Sequence, residues 1–162
     1  VTGVSDVCSS DLLLGAWAPL PEKGTGLDIG TGTGLLALMA AQRAPRMVFT
    51  GIDIDAEAAR QAAENVAASP FADRIRISHC PLQQFQGAAF QAILCNPPYF
   101  EESLLPPEQR RTTARHTCQL GFEELTAAAA RLLAPDGIFS VILPATAFAR
   151  FHNLCLDNGL HL

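Results

Sequence analysis

Gly26-Leu27-Asp28-Ile29-Gly30-Thr31-Gly32-Thr33-Gly34 decides the fold. A short β-prone run ends at Asp28-Ile29, glycines follow at alternate positions, and an apolar helical stretch, Leu35-Leu36-Ala37-Leu38-Met39, begins at once. That is the strand-loop-helix order of a nucleotide-cofactor site. Glycine has no Cβ to hold a ligand off the backbone, so Gly30, Gly32 and Gly34 permit both a sharp turn and a close approach. A dinucleotide loop spaced Gly-x-Gly-x-x-Gly would need its third glycine at position 35, which is leucine. The spacing here is Asp-x-Gly-x-Gly-x-Gly.

Working outward, a second apolar run over 47–52 leads into Asp53-Ile54-Asp55. A carboxylate about 20 residues past the glycines can take both hydroxyls of a ribose in charge-assisted hydrogen bonds. Either aspartate could instead cap the helix expected from Ala56. We assign the ribose to Asp53 and the cap to Asp55, and group Ile54 with the cofactor residues. The pattern predicts strands over 25–29, 47–52, 74–79, 90–95 and 137–143, and helices over 35–43, 56–69, 122–133 and 145–158. Strands without strict alternation, separated by amphipathic helices, make an α/β fold with a parallel sheet covered on both faces. Ligands bind such sheets at the carboxyl ends of the strands, where the strand order reverses.

The fourth run, 90–95, ends in Asn96-Pro97-Pro98-Tyr99. This turn suits one task, holding a planar exocyclic NH2 group while a methyl cation equivalent is delivered to it. The nitrogen of an adenine amine or a carboxamide is a poor nucleophile because its lone pair is delocalised. If the Asn96 side-chain oxygen and the Pro97 carbonyl each accept one N–H, the nitrogen is drawn toward tetrahedral geometry and developing charge is stabilised. Pro98 stiffens the turn and the Tyr99 ring can stack on the flat substrate group. The alternative is an Asn-Pro turn that only ends a strand.

The Asp-x-Gly-x-Gly-x-Gly stretch resembles the first motif of S-adenosylmethionine-dependent methyltransferases. Together with Leu13-Leu14-Gly15-Ala16-Trp17-Ala18, Glu64-Asn65-Val66, Asp73-Arg74-Ile75, Asn96-Pro97-Pro98-Tyr99 and Ala114-Arg115-His116, the chain from Leu13 to Leu162 resembles the bacterial tRNA1(Val) adenine-N6 methyltransferases. The resemblance implies a Rossmann-like class I methyltransferase fold, a three-layer sandwich on a mostly parallel sheet. It also implies S-adenosyl-L-methionine as donor, an anticodon-loop adenine of tRNA as acceptor, a cytoplasmic setting and a monomeric full-length protein. On this footing Asp28, Gly30, Gly32, Gly34, Asp53, Ile54, Leu82 and Asn96 are expected to bind the cofactor. The expected catalytic turn is Asn96, Pro97, Pro98 and Tyr99.

Two departures stand out. The family's Asp after the third strand, which meets the cofactor's adenine amine, is replaced by Pro81, leaving the Leu82 N–H to read the ring. Residues 1–12, VTGVSDVCSSDL, resemble a translated sequencing adapter, so the domain is expected to occupy 13–162 and to stop before the last two strands of a seven-stranded sheet.

On the acceptor side Arg110, Arg111, Arg115 and His116 fall in a loop over 100–119, long for a bare connection, where guanidinium groups can hold tRNA phosphates. Salt bridges to Glu101, Glu102 and Glu108 are the competing reading. The chain is acidic overall, with a formal net charge of −5, so RNA contact rests on this local patch with Arg111, Arg115 and His116 as its substrate-binding residues. A second activity, N5-methylation of a glutamine in a protein such as a release factor, presents the same two N–H groups. A third reading is an inactive cofactor-binding fragment.

Composition sets outer bounds. With 49% hydrophobic residues over 162 positions there is material for one sizeable core. No apolar run reaches the roughly 18 residues a membrane span needs. Cys8, Cys80, Cys95, Cys118 and Cys155 have no Cys-x-x-Cys spacing, and His79, His116, His152 and His161 are scattered, so reduced thiols and no metal site are expected.

Overall fold

The computed structural model describes residues 9–87, 89–97 and 120–161. Five strands form one parallel sheet in the order β3-β2-β1-β4-β5: β1 Lys23–Ile29, β2 Arg46–Asp53, β3 Ile75–His79, β4 Phe90–Cys95 and β5 Leu133–Val141. Chain order runs outward from β1 to β3 and then resumes on the other side of β1 at β4, so the strand order reverses between β1 and β4.

Both faces of the sheet are covered. On one face, Leu14 from α1 (Ser9–Trp17), Ala18 just after it, Leu36, Ala37, Ala40 and Ala41 from α2 (Leu35–Arg43) and Val66 from α3 (Ala56–Ala67) pack on Met47, Phe49, Ala92 and Leu94. On the other, Leu125, Ala128 and Leu132 of α4 (Phe122–Leu132) and Phe151 of α5 (Phe148–Asp157) pack on Leu27, Ile29, Ile52, Ile93 and Cys95. Consecutive residues of β4 go to opposite cores, as the period of two requires. The alanines of α2 keep that helix low on the sheet. Its carboxyl end is tied down by Arg74, which donates to the carbonyls of Ala41 (2.8 Å), Ala44 (3.2 Å) and Met47 (3.1 Å). The guanidinium thereby links the end of α2 to the start of β2.

Most elements lie within two residues of the sequence expectation, and three depart further. β5 starts at Leu133, four residues before the expected Gly137, because Pro135-Asp136-Gly137 forms a bulge inside the strand. Leu133 pairs with Phe90, and the register resumes at Ile138 with Ala92. The expected helix over 145–158 is split into a 3-10 turn, Ala145–Ala147, and α5. And α1 begins at Ser9, so one helix runs through the boundary expected at residue 13.

Candidate active site

The carboxyl ends of four parallel strands meet around a cavity of about 170 Å³. Ile29 and Gly30 follow β1, Ile52, Asp53 and Ile54 close β2, Cys80, Leu82 and Gln83 follow β3, and Cys95 and Pro97 close β4, with Leu120 opposite. Gly30, Asp53, Ile54, Leu82 and Pro97 were expected at the site from sequence, and they border one space. Asn96 lies half-buried between Cys95 and Pro97. Pro98, Tyr99, Arg110, Arg111, Arg115 and His116 lie outside the described residues.

The glycine loop is shaped by its backbone. Gly30, Gly32 and Gly34 have φ of 70°, 54° and 84°, the left-handed region that side chains disfavour. A Cβ added to Gly30 or Gly32 would meet no atom within 4 Å, so both face open space. Gly34 is different. Its N–H donates to the Thr31 carbonyl at 2.8 Å, and a Cβ there would sit 3.3 Å from the Ala62 Cβ, which gives this glycine a packing role against α3. From the same helix Asn65 Nδ2 donates to the Thr33 carbonyl at 2.9 Å, so α3 braces the loop from behind.

The two aspartates after β2 divide their work. Asp55 Oδ1 accepts the N–H groups of Glu57 (2.8 Å) and Ala58 (3.0 Å) and caps α3. Those bonds hold its carboxyl below the ordinary carboxylate range. Asp53 Oδ2 accepts the Gly32 N–H at 2.8 Å and Oδ1 accepts the Asp55 N–H at 2.9 Å. Each carboxylate oxygen has more than one lone pair, so both retain capacity for a further donor.

Asp28 is the electrostatic anomaly. It is fully buried, and Oδ2 accepts from Thr31 Oγ1 at 2.6 Å and from the Ala37 N–H at 3.2 Å. Oδ1 is buried with no hydrogen-bond partner among the described residues. Burial pushes its pKa up to about 7, against the pull of those two bonds and with help from the charges of Asp11 and Asp53. Asp28 is wholly buried and is not among the residues that border the cavity. Cys95 offers no nucleophile, because burial raises its thiol well above the ordinary range.

Sequence reasoning missed several residues here. Asn65 behind the loop and Cys80 and Gln83 on the cavity wall were not singled out for the site. Gln83, two positions past Pro81, reaches the cavity while its Nε2 donates to Glu124 Oε2 at 3.0 Å. Asn96 Nδ2 donates to Ser10 Oγ at 2.9 Å and Asp11 Oδ1 at 2.6 Å. No local signal connects residues so far apart in the chain.

Comparison with known proteins points one way. Residues 5–152 match the profile of the methyltransferase small domain. A tRNA1(Val) (adenine(37)-N6)-methyltransferase of Phocaeicola vulgatus is 47% identical over 157 residues, covering 96% of this chain and 67% of the relative. One of the same name from Dyadobacter fermentans is 44% identical over 96% of this chain and 65% of its own. The chain thus spans about two thirds of the length of these relatives. Among solved structures, a precorrin-6y C5,15-methyltransferase from Geobacter metallireducens superposes with a TM-score of 0.67 at 11% identity, over 96% of this chain and 75% of that one. PKMT2 from Rickettsia typhi, in complex with AdoHcy, gives 0.55 at 20% identity over 76% and 21%.

Proposed function

The chain belongs to the methyltransferase small domain family, among the tRNA1(Val) (adenine(37)-N6)-methyltransferases, with the Rossmann-like class I fold, and on that premise we propose that it methylates the exocyclic N6 of an adenine in a tRNA anticodon loop. The observation that carries the proposal is that Gly30 of the glycine loop, Asp53 and Pro97, which follows Asn96, border one cavity at the reversal of strand order.

S-adenosyl-L-methionine, when bound, supplies an electrophilic methyl group on a positively charged sulfur. The residues present fit it. Gly30 and Gly32 leave space where side chains would stand, and Asp53 keeps acceptor capacity for ribose hydroxyls. Ile54 and Leu82 supply apolar walls. Pro81 provides no side-chain acceptor for the adenine amine. The carboxamide of Gln83 on the same wall offers one.

On the acceptor side Asn96 Oδ1 and the Pro97 carbonyl take the two N–H groups of the adenine amine. That withdraws the nitrogen lone pair from the ring and stabilises positive charge as the new N–C bond forms. Pro98 and Tyr99, next in sequence, belong to the same motif, and Arg111, Arg115 and His116 are the residues we assign to tRNA phosphates. A tRNA substrate makes the setting cytoplasmic.

The experiment is methyl transfer from labelled cofactor to bulk tRNA and, in parallel, to a release factor. Label in tRNA that digests to N6-methyladenosine supports the proposal. Label in release-factor glutamine would replace it with the protein-methylating alternative, and no label in either, with cofactor still bound, would leave only a binding domain.

A further inference from the structure

We propose that Gln83 and Glu124 form a pair that selects a 6-amino purine in the cavity, Gln83 offering its oxygen to the amine and Glu124 acting as the positioning residue that holds it in that orientation. The inference rests on the cofactor site proposed above. Among the described residues that border the cavity, only Asp53 and Gln83 carry a side-chain oxygen; the others are apolar, glycine or cysteine. Asp53 closes β2, and Gln83 follows β3, the strand paired with it. The two acceptors therefore stand at neighbouring strand ends, an arrangement suited to a ribose and the base attached to it.

A carboxamide can present either end, because its oxygen accepts and its nitrogen donates from nearly the same shape. Glu124 decides which. Its Oε2 takes Nε2 of Gln83 at 3.0 Å, and the reversed amide would set Oε1 against a carboxylate oxygen, which repels it. Glu124 is itself held in the first turn of α4, where the same Oε2 accepts the Gly121 N–H at 3.4 Å. The backbone before Gln83 is fixed as well. The Pro81 carbonyl accepts the N–H groups of Gln84 and Phe85, both at 3.0 Å, and the Cys80 thiol at 3.3 Å. Those bonds close a turn over 81–85 and use up that carbonyl, so the acceptor left for a ligand on this wall is Gln83 Oε1. An adenine amine donates to it. A 6-oxo purine would bring oxygen against oxygen, so the pair discriminates by repulsion as well as by attraction.

The test is isothermal titration of the full chain with S-adenosylhomocysteine and with S-inosylhomocysteine, its 6-oxo counterpart, for the parent, Gln83→Ala and Glu124→Gln. The parent should prefer the 6-amino ligand. In Gln83→Ala, affinity for that ligand should fall about three- to tenfold, as for loss of one hydrogen bond, and the preference should shrink. Glutamine at 124 can accept from Nε2 or donate to Oε1, which frees Gln83 to turn its nitrogen toward a 6-oxo group. Glu124→Gln should therefore bind the 6-oxo ligand about three- to tenfold more tightly than the parent does, a gain that lost structural support would not produce. Both side chains are exposed, so melting temperatures should match the parent's. An unchanged preference in Gln83→Ala would overturn the proposal, and so would a Glu124→Gln variant that binds the 6-oxo ligand no better than the parent. A parent that binds neither ligand would overturn it together with the cofactor site. No tRNA enters these titrations, so the expected preferences in a protein that methylates no tRNA would refute the proposed acceptor and leave the pair of Gln83 and Glu124 standing.

Discussion

Asp28→Asn isolates the charge buried beneath the glycine loop. The Asp28 carboxyl titrates near 7 in the fold against 3.8 for an ordinary aspartate. Each tenfold change in proton affinity corresponds to about 1.4 kcal/mol, so ionising this group inside the folded chain costs on the order of 4 kcal/mol. The sign follows from the raised value: between about pH 4 and pH 7 the folded chain holds a proton that the unfolded chain releases. Stability therefore falls as pH rises through that window and levels off above it. Asparagine keeps the oxygen that accepts from Thr31 and Ala37 but cannot ionise. It leaves an NH2 where Oδ1 had no partner, at about 1 to 3 kcal/mol. The variant should thus be less stable than the parent near pH 4, where little of the parent's loss has accrued, and more stable than it near pH 8. Urea unfolding of both proteins across that range gives the difference directly, with the contributions of all other acids cancelling. A difference that stays constant with pH would refute the argument and show Asp28 to be ionised in the fold throughout.

Asp53→Ala should weaken cofactor binding by about 1.5 to 3 kcal/mol, the usual worth of hydrogen bonds to a charged group, as read by titration with S-adenosylhomocysteine; unchanged affinity would remove Asp53 from the site. Gly32→Val should abolish that binding and cost about 1 to 2 kcal/mol of stability for forcing a side chain into the left-handed region, while leaving the sheet folded because no neighbour occupies the new space. A variant that binds normally would reduce the loop to a plain turn. Asn96→Ala should lower turnover roughly 10²- to 10³-fold, the cost of one preorganised transition-state hydrogen bond, with little change in cofactor affinity. Joint loss of affinity and rate would make Asn96 a support of the pocket.

What was legible in the sequence was what local chemistry determines. The left-handed glycines, the boundaries of α2 and β4 and the Asp55 cap all follow from a residue acting on its immediate neighbours. The bulge in β5 was not legible, since Pro135-Asp136-Gly137 has the composition of a turn and only pairing with Phe90 draws Leu133 into the strand. Nor was α1. Its amino-terminal residues form no apolar stripe, and the helix owes its place to Leu14, Gly15 and Ala18 meeting α2. Gln83 escaped notice because only the fold brings it to the cavity wall. Pro81 drew attention at the carboxyl end of β3, yet the polar group reaching the wall there is two residues on.

The seam between β1 and β4 has a metrological consequence. Residues that would hold the donor follow β1 and β2, those that would hold the acceptor follow β4, and the two groups are joined directly by the pairing from Gly26 with Ala92 to Ile29 with Cys95. That ladder is the gauge block between the two substrates. Slipping it by one position would move Asn96 about 3.3 Å relative to Gly30 and turn every side chain of β4 to the wrong face. Leu27, Ile29, Ile93 and Cys95, each at most 2% exposed, make that slip prohibitive. The clearance at which a methyl group would change hands is machined into the hydrophobic core.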